Sequence, residues 1–218
     1  MKTIHAKTIR NSSDWLDRAS CRSVGRETFY DGSAEGRQAA RLVCTRCHVL
    51  LECLADTQAL EAAAEGRWGM AAGLTAPQRL ALVWEERLHG ARPDAAKARE
   101  LTDWGWRKAL RRHHGRGLTL GEITQAIGGT TPQHHVTTRL ALWWLGLDGA
   151  RVRPRAADDL TPKWQRVVNE HRGEIEGIRA AGGNRFDVSA YLGVSISCAE
   201  LAIARVNKLT AGVLEVAA

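Results

Sequence analysis

The stretch from Cys44 to Cys53 constrains this chain more than any other, because it places three cysteines within ten residues and reads CTRCHVLLEC. Together with Cys21, it gathers four of the five cysteines in the first quarter of the chain. Thiolates are soft ligands, and four that converge on one point suit a tetrahedral zinc ion or an iron-sulfur cluster. Either group supplies folding free energy to a small domain. The sequence therefore predicts a metal-stapled domain and leaves the choice of metal open.

The number of cysteines and the absence of a long apolar run indicate the compartment. Five cysteines fit four ligands and one spare residue, Cys198, in a reducing environment where clustered cysteines bind metals more often than they form disulfides. No apolar run approaches the ~18 residues of a membrane span, and residues 1–11 lack the apolar segment of a signal peptide. We therefore expect a cytoplasmic protein that does not contact a membrane.

Residues 35–65 are predicted to form two successive helices, because apolar side chains recur there at intervals of three and four residues. Cys44 and Cys47 would lie on one helical face, and Cys53 would close the site from the next helix. His48 lies inside the same stretch, but we interpret it as a nonligand because four thiolates already complete a site. Buried core cysteines are the structural alternative, since unpaired cysteine is among the most buried residue types.

A tryptophan between two glycines follows this region. Residues 66–69 read Gly-Arg-Trp-Gly, which predicts a turn that presents the indole of Trp68. Thr75 suits an N-cap, with Pro77 in the first turn of the next helix. The indole of Trp68 either covers the core or anchors an interface.

These features together resemble the WhiB-like family of actinobacterial transcription regulators over about residues 12–88. The resemblance rests on Trp15 ahead of Cys21, on the spacing of the other three cysteines, and on the tryptophan turn with its following helix. It implies a [4Fe-4S] cluster that is sensitive to oxygen or nitric oxide. The ligands it implies are Cys21, Cys44, Cys47 and Cys53.

The resemblance also implies a protein partner, region 4 of the primary sigma factor of RNA polymerase. Carried over to this chain, the contacts fall on Trp68 and Gly69. The family commonly has Trp-Gly-Gly at this turn, whereas Met70 follows Gly69 here. A residue other than glycine at a position that needs a positive φ would reshape the loop.

The second half of the chain carries most of the positive charge. Residues 1–90 contain 12 Lys and Arg against 11 Asp and Glu, whereas residues 91–218 contain 19 against 13. A predicted short helix over residues 104–113 carries Arg107, Lys108, Arg111 and Arg112. This excess favours a polyanionic partner such as DNA, although ordinary basic proteins without such a partner are common.

Two segments, near residues 118–145 and 184–208, show the pattern of a helix-turn-helix. In each, a short helix ends at a glycine and a turn rich in Ser or Thr opens a second helix. In the first segment, polar residues on the second helix predict DNA contacts. We assign these contacts to Gln133, His134 and Arg139, and we add Arg151, Arg153 and Arg155 of a basic linker, which can also be simply solvated. The second segment offers a poor surface for a polyanion and is interpreted as structural or protein-binding.

The sequence thus predicts an all-α protein with a cluster domain over residues 1–90 and a basic helical extension over residues 91–218. The expected function is that of a redox- or nitric-oxide-responsive transcriptional regulator that binds a sigma factor and promoter DNA, and not that of an enzyme. Two alternatives remain. One is a protein disulfide reductase that uses Cys44 and Cys47 without the cluster, and the other is a zinc-stapled binding module.

Overall fold

The computed structural model describes residues 14–62, 67–147 and 161–216. The chain divides into two compact units, Met1–Arg79 and Leu80–Ala218. The division lies inside the third α-helix, ahead of the boundary near residue 90 that the sequence suggested.

The first unit begins with three short 3-10 segments that lead into two helices and a hairpin. Its elements are the 3-10 segments Leu16–Arg18, Ser20–Ser23 and Arg26–Phe29, helices α1 (Ala34–Thr45) and α2 (Leu50–Ala62), strands β1 (Met70–Ala71) and β2 (Leu74–Thr75), and the start of α3 (Ala76–His89). The second and third 3-10 segments pack on α1. The bounds of α1 and α2 confirm the two helices predicted over residues 35–65.

Polar side chains cap the helices of the first unit at the expected positions. The side chain of Ser33 accepts a hydrogen bond from the Gly36 N–H at the start of α1. At the start of α3, the side-chain amide oxygen of Gln78 accepts from the Thr75 N–H at 2.9 Å, and the Gln78 N–H donates to the Thr75 hydroxyl at 3.5 Å. This reciprocal pair is a capping box, and it confirms Thr75 as the N-cap.

The second unit continues α3 and adds seven helices within its described residues. These are α4 (Ala95–Glu100), α5 (Trp104–Gly115), α6 (Leu120–Ala126), α7 (Pro132–Trp144), α8 (Lys163–Ala180), α9 (Arg185–Leu192) and α10 (Ile196–Val216). Capping boxes open α6 at Thr119, α7 at Thr131 and α9 at Asn184. Each capping side chain satisfies an N–H group that the first helical turn leaves without a partner.

A large apolar core holds α8, α9 and α10 around Trp84 of α3. The indole N–H of Trp84 donates to the Asp187 carboxylate at 2.9 Å, so that the buried ring keeps its polar group satisfied. The core is formed by Trp84, Val167, Val168, Ile175, Ile178, Val188, Tyr191, Leu192, Val194, Cys198, Ala199, Ala202 and Val206.

The prediction of an all-α fold is confirmed, because helices make up nearly all of the regular structure in the described residues. The exception is the β1–β2 hairpin, which sequence reasoning missed. Helices α9 and α10 meet at a bend of 111°. Over the part of the chain that the structure describes, no single helix is long and apolar enough to span a membrane. Helices α9 and α10 meet the criteria of length and apolarity only when they are counted together, with the bend between them.

Candidate metal centre

The four cysteines of the first unit line one pocket. Cys21 lies in the second 3-10 segment, Cys44 near the end of α1, Cys47 in the link to α2, and Cys53 in the first turn of α2. The pocket has an empty volume of about 280 Å³. Apolar side chains complete its wall: Trp15, Ala19, Val43, Val49, Leu50 and Ala72. The fold therefore brings together the four residues that the sequence had selected as ligands.

The pocket disfavours ionised sulfur unless a cation neutralises it. Burial raises the pKa of the Cys44 thiol to about 12, with smaller contributions from Cys53, Cys21 and Cys47. Burial also raises the pKa of Cys53. Thiolates in such surroundings need a positively charged group among them, because desolvation penalises the charged form and a bound metal reverses that penalty. Cysteine is the residue type that soft metal ions prefer as a ligand.

Backbone N–H groups point at three of the four sulfurs. The Ser20 N–H donates to Cys47 Sγ at 3.4 Å. The Gly73 N–H donates to the sulfur of Cys44, which offsets part of the effect of burial on its pKa. The Ala72 N–H and the Thr57 side chain donate likewise to Cys53. Hydrogen bonds of this kind stabilise metal-bound thiolates and tune iron-sulfur clusters.

The hairpin supplies two of these donors through its turn. Ala71 pairs with Leu74, which leaves a two-residue turn, Ala72–Gly73, with φ values of 51° and 72°. Two successive positive φ values define a type I′ turn. Ala72 is the one residue other than glycine with a positive φ in the described chain, and this conformation costs an L-residue about 1–2 kcal/mol. The strain falls on the residue whose N–H faces Cys53.

The hairpin also shows how the chain accommodates Met70. This side chain is buried in strand β1, where no positive φ is required, and the left-handed positions are Gly69, Ala72 and Gly73. Met70 therefore introduces no backbone strain at this turn.

Within the described residues, no group of three or more His, Cys, Asp or Glu side chains is arranged to hold one metal ion. His48 is exposed and does not line the pocket.

The environment of Cys44 and Cys47 disfavours a disulfide reductase. A reactive dithiol needs a depressed thiol pKa and an accessible sulfur, but both residues are buried and the pKa of Cys44 is raised. The structure records no disulfide among the five cysteines. Cys198 lies in the core of the second unit, where burial raises its pKa.

Trp68 is presented to solvent by a rigid turn next to this pocket. Its side chain is 78% exposed. The next residue, Gly69, has φ +57° and packs so closely that an added Cβ would lie 2.7 Å from the Phe29 carbonyl oxygen and 3.1 Å from the Tyr30 ring. Only glycine fits both requirements. The structure therefore places the indole on the surface rather than over the core.

A buried arginine, Arg79, holds this turn in place. Its guanidinium donates to the carbonyls of Trp68 at 3.0 Å, Gly69 at 3.1 Å and Leu74 at 2.7 Å. It also forms a forked ion pair with Glu61 of α2, with a shortest distance of 2.7 Å. Arg79 thereby joins the tryptophan turn, the hairpin and the helix that carries Cys53. Sequence reasoning missed it, because no local pattern links Arg79 to Glu61, 18 residues away.

The six residues predicted to contact DNA have different outcomes. Gln133 and His134 are exposed in the first turn of α7. The prediction for Arg139 is wrong, because its side chain is 1% exposed and forms an ion pair with Glu85 at 2.9 Å. Three linker residues lie outside the described residues: Arg151, Arg153 and Arg155.

Comparison with protein families supports the sequence resemblance. Residues 15–82 match the family model described as transcription factor WhiB, and this segment contains all four pocket cysteines and the tryptophan turn. The match confirms the resemblance over about a third of the chain and ends inside α3. Comparisons with curated proteins and with solved structures find no match.

Proposed function

We propose that this protein is a transcriptional regulator that binds a [4Fe-4S] cluster and responds to oxidants or nitric oxide. One observation carries the proposal: the four cysteines of the segment that matches the WhiB transcription factor family line a single apolar pocket. The family is one of transcription factors rather than enzymes, which supports partners among DNA and the transcription machinery.

The residues that would hold the cluster are Cys21, Cys44, Cys47 and Cys53. Once bound, the cluster supplies electron exchange and reactivity towards oxidants, which zinc lacks. Buried Cys44 and Cys47 exclude water on one side, and exposed Cys21 leaves a side that a small oxidant can reach. The N–H donors from Ser20, Ala72 and Gly73 stabilise the thiolates.

Metal and sulfide analysis of protein purified without oxygen tests this assignment. We expect a brown protein with equal amounts of iron and acid-labile sulfide, and loss of both in Cys53→Ser. Cys198→Ser is the matched control, because Cys198 lies in the core of the second unit. A colourless protein with one zinc per chain would overturn the cluster and favour the zinc-stapled module.

The proposed protein partner is region 4 of the primary sigma factor, with Trp68 as the anchor and Gly69 as the residue that shapes its turn. An exposed indole on a turn that Arg79 holds rigid is a typical interface anchor, because little side-chain entropy is lost on binding. Trp68→Ala should abolish co-purification with region 4. Trp104→Ala is the matched control, since that tryptophan is 79% exposed and lies in the other unit. Equal binding by Trp68→Ala would show that the anchor lies elsewhere.

We also propose that the basic half contacts promoter DNA. The α6–α7 pair is the helix-turn-helix unit proposed to contact DNA. The α9–α10 pair, whose 111° bend agrees with the same geometry, is interpreted as structural or protein-binding. Gln133 and His134 stand at the exposed start of α7. His134 Nδ1 accepts from the Thr131 N–H at 3.3 Å as part of the helix cap, so Gln133→Ala is the cleaner test. DNA affinity that did not fall with added salt would contradict phosphate contacts by this half.

A further inference from the structure

Helix α5 presents one continuous exposed face of cations with a tryptophan at its start. The face consists of Trp104, Arg107, Lys108, Arg111 and Arg112, all of which are exposed. Their spacing of three, four, seven and eight residues from Trp104 puts them on one side of the helix. Leu110, on the opposite side, is fully buried and fixes the orientation of α5.

The cations of this face have no acidic partners among the described residues. No Asp or Glu occurs between Asp103 and Glu122. Among the described residues, the one hydrogen bond of these side chains runs from Arg107 Nε to the Thr102 carbonyl at 2.9 Å. Like charges four residues apart destabilise a helix. A bound polyanion would relieve this repulsion on α5.

Several exposed cations elsewhere in the second unit are paired with carboxylates. Such ion pairs join Arg92 to Glu86, Lys97 to Glu100, Arg172 to Glu176 and Arg185 to Glu200. The α5 face instead brings four cations together on one side of a helix, with no carboxylate partner among the described residues, and a partner that supplies a row of negative charges fits it.

The exposed side chain of Trp104 indicates which class of polyanion fits the α5 face. Its indole is 79% exposed at the first position of α5, one helical turn from Arg107 and Lys108. A large aromatic ring beside a row of cations is the arrangement that binds single-stranded nucleic acid, where bases stack on the ring and phosphates follow the cations. Paired bases in a duplex do not offer their faces to such a ring.

We infer that the outer face of α5 binds single-stranded DNA, with Trp104 stacked on an unpaired base and Arg107, Lys108, Arg111 and Arg112 along the phosphates. The inference rests on the proposed regulator function for its choice of DNA as the nucleic acid. It assigns the DNA contact to a helix that lies outside the segment matched by the family model.

Fluorescence anisotropy of the full chain with labelled oligonucleotides tests the inference. The probes are a single strand longer than about 16 nucleotides, which exceeds typical site sizes, and the matching duplex. Trp104→Ala should weaken binding of the single strand by roughly 5- to 150-fold, the usual effect of losing one stacked base, and should change duplex binding less.

The cations are tested by the salt dependence of the same binding. Removing Arg107 and Arg111 together, as Arg107→Gln with Arg111→Gln, should reduce the slope of log affinity against log salt by about 1.4, because each phosphate contact of a single strand contributes roughly 0.7. The matched control is Arg205→Gln with Lys208→Gln, which removes the same charge from exposed positions on α10. That pair should leave the slope unchanged.

Three results would overturn the inference. The first is an equal loss in the control pair, which would indicate net charge alone. The second is an unchanged single-strand affinity in Trp104→Ala with unaltered circular dichroism. The third is binding to vesicles of anionic lipid without binding to either oligonucleotide. Cluster colour and co-purification with region 4, measured on the same preparations, report the proposed function separately, and we expect the α5 variants to keep both.

Discussion

Replacing Arg139 with methionine should destabilise the second unit rather than remove a DNA contact. Besides its ion pair with Glu85 at 2.9 Å, the guanidinium lies 4.7 Å from the centre of the Trp143 ring and donates to the Tyr191 carbonyl. Methionine keeps the apolar stem but removes the ion pair between Arg139 and the Glu85 carboxylate, whose side chain is 2% exposed. Breaking a buried pair from one side costs about 3–5 kcal/mol.

This cost is a large fraction of the roughly 5–15 kcal/mol that separates folded from unfolded domains. Six of the eight tryptophans lie in residues 80–218, so urea unfolding followed by tryptophan fluorescence reports mainly on the second unit. We expect the midpoint to fall clearly in Arg139→Met and to recover largely in the double variant with Glu85→Leu, where both charges of the buried pair are replaced by apolar side chains.

The matched control is Arg185→Met, which breaks the exposed ion pair with Glu200. Exposed pairs contribute about 0–1 kcal/mol, so its midpoint should scarcely move. The reasoning would be refuted if Arg139→Met unfolded at the midpoint of the control while losing DNA affinity under conditions where it is folded. That result would mean that the guanidinium reaches DNA after all.

Three further predictions concern the first unit. Arg79→Met should shorten the lifetime of the cluster in air and weaken sigma binding, although Trp68 is intact. Arg79→Lys should restore neither property, because an ammonium cannot reproduce the forked hydrogen bonds of the guanidinium. An unchanged cluster lifetime and unchanged sigma binding would show that the contacts of Arg79 are dispensable. Gly69→Ala should weaken sigma binding, since the new Cβ clashes with the neighbouring carbonyl and φ is positive; wild-type affinity would contradict the close contact. In cluster-free folded protein at pH 8, iodoacetamide should modify exposed Cys21 before Cys44. The rate at Cys44 should rise about tenfold per pH unit until the pH approaches its pKa of about 12, and a rate that levelled off near pH 9 would refute the raised pKa.

The parts of the fold that sequence predicted well are those with local causes. The apolar periodicity of α1 and α2 extends over whole helical turns, and Thr75 and Gln78 provide a cap that is readable within four residues. The cysteine group can also be recognised from sequence, since several cysteines at helical spacing have few uses other than metal binding. These signals need no knowledge of distant segments.

The prediction for Arg139 failed because a polar residue was assigned by type rather than by face. It lies three residues after Val136 and four before Trp143, both buried, and therefore on the apolar side of α7. That spacing could have excluded it from DNA. Its partner Glu85, 54 residues away, could not have been found without the fold.

The hairpin was missed for a different reason. Two-residue strands are too short for the alternation that marks a β-strand, so Met70 and Thr75 gave no signal of their pairing. The Ala72–Gly73 turn carries one glycine, and its first residue has a type that rarely adopts a positive φ. The N–H groups of this turn donate to cysteine sulfurs, a tertiary contact that local propensity does not include.

The construction of the first unit suggests how the proposed signal would reach the sigma factor. The three 3-10 segments between Leu16 and Phe29 contain no buried residue, and Ala19 between them is the main point where this stretch enters the core. Binding of Cys21 to the cluster would therefore be one of the main contacts that hold the segment from Leu16 to Phe29 in place. Its last residues form the surface against which Gly69 packs, and Gly69 directly follows Trp68. Under the proposed function, oxidation that freed Cys21 would loosen the support of the Trp68 turn, and loss of the cluster would lower the affinity for the partner.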